Sequence, residues 1–325
     1  MSLTRRSLLA AACVLPATTM ARAATSWPSA LVMGTGQPGD TFSSYGTAWG
    51  RVITAMTGVE IVYRASGGSS SNLLLIEEGD AQLGLSTLPI ALQAHNGTGS
   101  WTAGVKLSQF RVLFPAYAAV LQIVSLATGV ADLADLNGKT LGIGPVGGSG
   151  AILMQPILKS LGVAPGQFQT GPYEAQIHKL FTGEVAACAF FGAPPVAAIQ
   201  QVASQTRLRL IGFSAPQAEQ VARAVPGMTR MILKAGTFPG QSMDVGSIGM
   251  LGLAVGAASL PDPLVQSLTQ AALHDAARLQ PNQDKLDMPE ALREIEAAGL
   301  KFHPGAALAL KKAGYKVPHD AIAKV

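Results

Sequence analysis

Short apolar segments alternate with amphipathic stretches along this chain of 325 residues, and this order constrains the fold more than any other feature. Residues 30–33, 59–63 and 81–85 are apolar runs of strand length, and the segments between them have the periodicity of helices. A glycine-rich turn at 34–39 follows the first run. Such an order is typical of βα units whose strands lie mainly parallel in a sheet. The sequence therefore predicts an α/β fold.

A second series of the same kind predicts a second lobe. Its strands are expected at 121–126, 140–144, 185–191 and 208–213, with a helix at 151–161. Pro156 should kink this helix or end its first half, because proline cannot donate a main-chain hydrogen bond. A composition with 48% hydrophobic and only 13% charged residues provides enough apolar surface for two packed cores.

The apolar, glycine-rich residues 245–255 are predicted to form the strand that crosses back to the first lobe. Helices at 263–279 and 289–297 would then complete that lobe. The predicted division places residues 24–118 and 250–325 in lobe 1 and residues 119–249 in lobe 2.

Residues 1–23 have the organisation of a signal peptide. Arg5 and Arg6 precede an apolar stretch at 8–15, and a small-x-small cleavage site ends at residue 23. The apolar stretch is too short to span a bilayer as a permanent helix. Twin-arginine export and ordinary secretion both fit the pattern, and either route predicts a periplasmic protein.

Export of the chain alters what its charge implies. The formal net charge is +4, and it falls to +1 when Arg5, Arg6 and Arg22 are removed with the signal peptide. A nearly neutral chain lacks the basic surface that nucleic acid requires, so no nucleic-acid partner is expected. Cys188 is then the single remaining cysteine, which excludes an intramolecular disulfide.

Two glycine patterns of the form Gly-x-Gly-x-x-Gly, at 34–39 and 142–147, match the fingerprint of dinucleotide sites. That fingerprint requires an acidic residue at the end of the second strand, whereas Glu60 lies near its start. We therefore expect no cofactor. Glycine turns before helices also let main-chain N–H groups approach an anion, at the strand ends where ligands bind in α/β folds. The alternative is that these glycines only form tight turns.

Several segments together resemble one family. Residues 34–42 (Gly-Thr-Gly-Gln-Pro-Gly-Asp-Thr-Phe), 65–73 (Ala-Ser-Gly-Gly-Ser-Ser-Ser-Asn-Leu) and 78–84 (Glu-Gly-Asp-Ala-Gln-Leu-Gly) are similar to successive motifs of the TAXI family. Further similar segments lie at 94–99, 132–139, 147–150 and 302–306. TAXI proteins are the substrate-binding receptors of tripartite ATP-independent periplasmic (TRAP) transporters.

The resemblance implies a two-lobed periplasmic binding protein of type II, the Venus-flytrap architecture, with the ligand in the central cleft. It also implies a carboxylate ligand, no catalysis and an integral-membrane TRAP permease as partner. A monomer is expected, since the receptor must close on its ligand and release it. A sensing receptor that docks on a signalling protein remains an alternative. An exported hydrolase is the alternative from a different class of protein, the enzymes.

The chain departs from the family pattern in two places. The family sequence Gln-Ser-Asp is replaced by Ser86-Thr87-Leu88, and Gly-Gly-Thr-Tyr is replaced by residues 39–42 (Gly-Asp-Thr-Phe). The missing acid at Leu88 removes a counter-charge for a ligand ammonium group, which favours a non-amino organic acid. Asp40 could serve an ammonium group instead, or it could cap a helix, so an acidic amino acid stays open as the ligand.

The predicted ligand-binding residues occupy the strand-to-helix turns of both lobes. They are Gln37, Asp40, Thr41, Phe42, Arg64, Ser69, Ser86, Thr87, Ser149, Gly150, Phe191 and Ala193. Arg64 is included because a guanidinium can bind both oxygens of a carboxylate. The histidines lack the paired spacing of a metal site, and the chain has no Gly-x-Ser-x-Gly nucleophile motif. No metal and no catalytic residue is predicted.

Overall fold

The structure is a computed structural model that describes residues 27–279 and 285–323. The predicted signal peptide, residues 1–23, lies outside the described residues. Among the helices of the described ranges, none combines the length and the apolarity that crossing a membrane requires.

Helices and strands alternate in the first part of the chain and again in its middle part. The strands are β1 (Ala30–Gly34), β2 (Glu60–Arg64), β3 (Leu83–Thr87), β4 (Phe110–Leu126), β5 (Thr140–Gly142), β6 (Gln167–Gln169), β7 (Ala187–Gly192), β8 (Leu208–Ile211), β9 (Thr229–Leu233) and β10 (Val245–Ala257). The helices are α1 (Thr41–Thr57), α2 (Ser69–Glu77), α3 (Leu88–Asn96), α4 (Ser149–Ser160), α5 (Tyr173–Thr182), α6 (Ala197–Ala203), α7 (Ala215–Ala224), α8 (Asp262–His274), α9 (Ala276–Leu279), α10 (Met288–Ala297) and α11 (Pro304–Lys312).

The strands form one sheet in the order β2-β1-β3-β10-β4-β7-β5-β6, with β9 beside β10 and β8 beside β4. Strands β1, β2 and β3 are parallel, and so are β5, β6 and β7. The pairs made by β4 and β10 are antiparallel. The expectation of mainly parallel sheets thus holds for the outer strands of each lobe, whereas the two central strands make the sheet mixed.

The two lobes are joined by β4 and β10, which are the longest strands described. The first part of β4 pairs with β10 in lobe 1, and its residues 120–124 pair with β7 in lobe 2. The sequence predicted only 121–126 as a strand because Pro115 interrupts the apolar run. In the structure the register shifts at Pro115, which is where a proline is tolerated within a sheet. The predicted lobe boundaries fall within β4 and β10.

Local signals explain how the helices begin and end. Asp40 caps α1 by accepting a hydrogen bond from the Ser43 N–H, and Gly58 ends the helix in the left-handed conformation, with φ 72°. Helix α4 (predicted at 151–161) contains Pro156 and continues to Ser160, so the proline does not end the helix. Its buried face, which includes Leu153 on one side of the proline and Ile157 on the other, holds both halves of the helix on the sheet.

Candidate functional site

A small cavity lies between the two lobes, where the N-termini of α1, α2 and α4 meet. Its polar lining is provided by Asp40, Thr41, Ser69, Thr87 and Ser149. Its aromatic lining is provided by Phe42, Tyr117, Tyr173 and Phe191, and the remaining wall by Gly67, Gly68, Ala119, Pro145, Gly148 and Gly150.

Parallel strands bring the polar side chains to this place. The turns after β1, β2 and β5 lead into α1, α2 and α4, and Thr87 is the last residue of β3. All of these turns lie at the carboxyl ends of their strands, which is where α/β folds bind ligands. Ser69 and Ser149 are the first residues of α2 and α4. The main-chain N–H groups of a first helical turn lack partners within the helix and carry a partial positive charge.

Three hydroxyl groups form a cluster at the floor of the cavity, and they come from both lobes. The Ser149 Oγ of lobe 2 lies 2.7 Å from the Ser69 Oγ and 3.0 Å from the Thr87 Oγ1 of lobe 1. All three residues are buried. The lobes are therefore in direct contact at the site, and the hydroxyls satisfy one another across the cleft.

Main-chain contacts bring the lobes together beside this cluster. The Ser70 N–H and the Ser70 hydroxyl both donate to the Gly147 carbonyl oxygen, at 2.9 and 3.0 Å. The Ala193 N–H donates to the Thr41 Oγ1 at 3.0 Å. At Gly67 a Cβ atom would lie 1.8 Å from the Val146 carbonyl oxygen. Only glycine therefore permits this approach of the two backbones.

Asp40 is the one acidic residue among the described residues that line the cavity. Its side chain is 9% exposed, and its two carboxylate oxygens accept the main-chain N–H groups of Ser43 and Gln37, each at 2.8 Å. Burial raises the pKa of Asp40 to about 6, although these hydrogen bonds oppose the shift. The lining within the described ranges includes no lysine, arginine or histidine.

The tyrosines at the cavity are neutral hydrogen-bonding groups. Burial raises the pKa of Tyr117 and of Tyr173 well above the ordinary value. The Tyr173 hydroxyl donates to the Phe191 carbonyl oxygen at 2.9 Å, and its ring stacks on Phe190 with centroids 3.9 Å apart. Tyr117 packs against the edge of Phe42. Neither tyrosine supplies charge to the site.

The structure brings most of the predicted ligand-binding residues together at this cavity. Those that line it are Asp40, Thr41, Phe42, Ser69, Thr87, Ser149, Gly150 and Phe191. Three others support the lining from behind. Gln37 donates through its Nε2 to the Ser66 carbonyl oxygen, Ser86 donates through its hydroxyl to the Ser69 carbonyl oxygen, and the main chain of Ala193 contacts Thr41.

Arg64 does not reach the cavity. Its Nη1 lies 3.0 Å from the Asp80 Oδ2, and its side chain is 48% exposed. Arg64 ends β2, which is an edge strand of the sheet, and its side chain reaches Asp80, three residues beyond the end of α2. The predicted guanidinium contact with a ligand is therefore absent from the arrangement that the structure describes.

Sequence reasoning did not identify the two tyrosines as part of the site. Tyr117 lies in the central part of β4, beside the predicted lobe boundary at residues 118 and 119. Tyr173 begins α5, which follows the three-residue strand β6, and this strand was not predicted. The apolar lining residues Pro145 and Ala119 gave no signal at all. Within the described ranges, no three histidine, cysteine, aspartate or glutamate side chains are grouped so that they could hold a metal ion.

Comparison with known proteins identifies the family and the fold. The NMT1-like family matches residues 33–314. A solved structure described as a periplasmic transporter aligns with a TM-score of 0.55 at 15% identity, covering 90% of this chain and 100% of that one. The periplasmic binding protein BugD aligns with a TM-score of 0.53 at 15% identity, again covering 90% of this chain and 100% of the other. These alignments confirm the predicted fold class, the two-lobed α/β fold of periplasmic binding proteins.

Proposed function

Because the chain belongs to the NMT1-like family, we propose that it is an exported receptor that binds a small organic carboxylate between its two lobes. The observation that carries this proposal is the interlobe cavity at which the N-termini of α2 and α4 face each other. Each lobe contributes one of these helices, so a ligand bound there contacts both lobes.

The chemistry of the cavity favours a compact anion. A helix N-terminus carries about half a positive charge, and its free N–H groups point at whatever lies beyond it. The hydroxyls of Ser69, Thr87 and Ser149 add donors that can turn toward a carboxylate. The cavity between the lobes is small, which favours a small molecule as the ligand.

Binding is a better account of these hydroxyls than hydrolysis. A catalytic serine is activated by a general base within hydrogen-bonding distance. Ser149 instead forms its side-chain hydrogen bonds with the hydroxyls of Ser69 and Thr87, which are not general bases. We therefore assign no catalytic role to this cluster.

The resemblance to the TAXI receptors supports delivery of the ligand to a TRAP-type permease in the membrane. A signal peptide at residues 1–23 would place the receptor in the periplasm, on the side from which such a permease takes its solute. A sensing receptor would use the same cavity, and pull-down of the permease or of a signalling protein from membranes would distinguish the two roles.

Calorimetric titration of the chain without residues 1–23 tests the proposed function. Small carboxylates are first screened by thermal shift, since a ligand at one hundred times its Kd stabilises the folded state by about 2.7 kcal/mol. Ser69→Ala and Ser149→Ala should each weaken binding of the selected carboxylate by about tenfold, because each removes a donor to a charged group.

Ser204→Ala is the matched control, because Ser204 is exposed at the end of α6 and its hydroxyl bonds only to the Gln201 carbonyl oxygen. Its affinity should equal that of the unchanged protein. The proposal is wrong if no small carboxylate stabilises the protein, or if Ser69→Ala and Ser149→Ala bind like the control.

A further inference from the structure

We infer that Asp40 makes this receptor selective for a ligand that carries a protonated amine as well as a carboxylate, namely an amino acid with an uncharged side chain. This inference rests on the proposed function, since it assigns the second half of the same ligand.

Asp40 is buried, lines the cavity and retains capacity for further hydrogen bonds. Its carboxylate accepts the main-chain N–H groups of Ser43 and Gln37, and that of Phe42 as well. A carboxylate offers about four acceptor positions, so about one remains for a ligand. At Gly36 a Cβ atom would lie 2.1 Å from the Asp40 Oδ2, so the carboxylate packs against the turn after β1 and only glycine leaves room for it there.

The charge of Asp40 has no ionic partner in the part of the chain that the structure describes. None of the ion pairs there includes Asp40. The cationic side chains are also missing from the described lining of the cavity. A buried charge is costly unless a counter-charge accompanies it. A ligand ammonium group would provide that counter-charge from inside the cavity.

Helix capping alone does not account for an acid at this position. Serine and asparagine cap helices about as well as aspartate, and neither brings a charge that must be buried. The aromatic residues beside Asp40 also favour a cation, because Phe42 and Tyr117 present rings to the same cavity and ring faces attract ammonium groups.

In the sequence, Leu88 favoured an organic acid without an amine as the ligand, because the TAXI family has an acidic residue at this position. In the structure Leu88 is 2% exposed, begins α3 and packs in the core of lobe 1 rather than at the cavity. The change at Leu88 therefore does not bear on the charge of the cavity, whereas the acid at Asp40 does.

The remainder of the lining suits a side chain without charge. Beyond Asp40 and the hydroxyl cluster, the walls consist of Thr41, aromatic rings, Ala119, Pro145 and glycine backbone. A second ligand carboxylate or ammonium group would lack an ionic partner among these residues. The ligand is thus assigned one amine, one carboxylate and an apolar or neutral remainder.

Calorimetry with matched pairs of ligands tests the inference. The probes are L-valine with 3-methylbutanoate, L-leucine with 4-methylpentanoate and L-glutamate with glutarate, so that each pair differs by one amine. The protein without residues 1–23 should bind L-valine or L-leucine about a hundredfold more tightly than the amine-free partner, because the lost amine leaves Asp40 unpaired. L-glutamate should bind more weakly than the better of the two neutral amino acids.

Asp40→Asn is the test variant, since asparagine keeps the cap of α1 and removes only the charge. It should lose most of the preference for the amine while retaining its affinity for the amine-free acid, and Ser204→Ala should behave like the unchanged protein. Equal binding of both members of each pair, or an amine preference that survives in Asp40→Asn, overturns the inference and leaves the proposed function standing. If L-glutamate binds more tightly than both L-valine and L-leucine, the assignment of an uncharged side chain is overturned. Failure of both members of every pair to bind overturns the inference and the proposed function together.

Discussion

Among single residues, Asp40 has an environment that is costly to maintain without a ligand. Its carboxylate is buried, lacks an ionic partner among the described residues and has its pKa raised to about 6. Such groups are common at functional sites, where stability is sacrificed for chemistry. The nearby hydroxyls of Ser69, Thr87 and Ser149 are neutral and satisfied by one another. The cavity therefore has an asymmetric charge distribution, with the carboxylate of Asp40 at one position and neutral hydroxyl donors at another.

The raised pKa of Asp40 predicts that binding of an amino acid weakens as the pH falls through about 6. An ammonium group interacts with the ionised carboxylate, so protonation of Asp40 competes with binding. Affinity at pH 5 should be about tenfold lower than at pH 7.5, because a single proton competes below the pKa. The titratable groups that face Asp40 are Tyr117, Tyr173 and the exposed Glu174 beside Gly39, and both tyrosines stay neutral over this range.

Calorimetry of L-leucine or L-valine binding across this pH range checks the prediction. Asp40→Asn should show a flat profile, because it cannot ionise. Glu174→Gln serves as the control for the other carboxylate and should keep the dependence of the unchanged protein. A profile that stays flat in the unchanged protein would exclude ionised Asp40 as a partner of the ligand.

The chemistry of the site was partly predictable from single residues, because turn residues such as Ser69 and Ser149 follow apolar strands at recognisable positions. Arg64 was misleading for a physical reason. A side chain at the end of a strand points to one or the other side of the sheet. The sequence does not show which neighbouring side chain it will pair with, which for Arg64 is Asp80. Tyr117 and Tyr173 reach the cavity through tertiary packing, which no local pattern records.

Among the elements, the turn before α2 and the turn before α4 control how closely the lobes approach. Gly67 lies against the Val146 carbonyl oxygen, and Ser70 bonds to Gly147 in the same contact. Both contacts join backbone to backbone, so they have little freedom to adjust. The fit of these two turns therefore sets the closed position of the receptor.

Gly67→Ala should hold the lobes apart, because its Cβ would meet the Val146 carbonyl oxygen at 1.8 Å and a main-chain atom cannot turn aside. The affinity for the ligand should fall by about tenfold or more, since the contacts of lobe 2 are lost. Small-angle scattering should show that the unchanged protein contracts with ligand and that the variant does not. Ser204→Ala is again the control, and a Gly67→Ala variant that closes and binds normally would contradict the role assigned to this contact.

The fold was predictable where an element carries a strong local signal. Helix α1 has a cap at Asp40, a buried face and a terminating glycine, and it follows the predicted first strand. Strand β6 has three residues, of which only Phe168 is apolar, so its pattern is too short to recognise. The continuity of β4 through Pro115 depends on the partner strand β10, which lies far away in the sequence.

At the scale of the whole molecule, the protein has two lobes that meet through hydrogen bonds at the cavity and are connected by a pair of strands. Strands β4 and β10 pair with each other at the centre of the sheet, and other strands pair with them on both sides. The lobes meet through hydrogen bonds such as that between Ser69 and Ser149, which water can replace when the cleft opens. A ligand that contacts both lobes would therefore favour the arrangement in which they meet.

Ligand binding should slow hydrogen exchange at the Ser70 amide without changing exchange at helix starts that are capped within one lobe. The Ser70 N–H belongs to the first turn of α2, where helical partners are lacking, and it donates across the cleft to the Gly147 carbonyl oxygen at 2.9 Å. Its protection therefore measures closure of the lobes. The Gln217 N–H is the matched control, because it lies in the first turn of α7 and donates to Ser214 within lobe 2. If added ligand protected the Ser70 and Gln217 amides equally, or protected neither of them, binding would not bring the lobes together. The proposal that the ligand is held between two closing lobes would then be wrong.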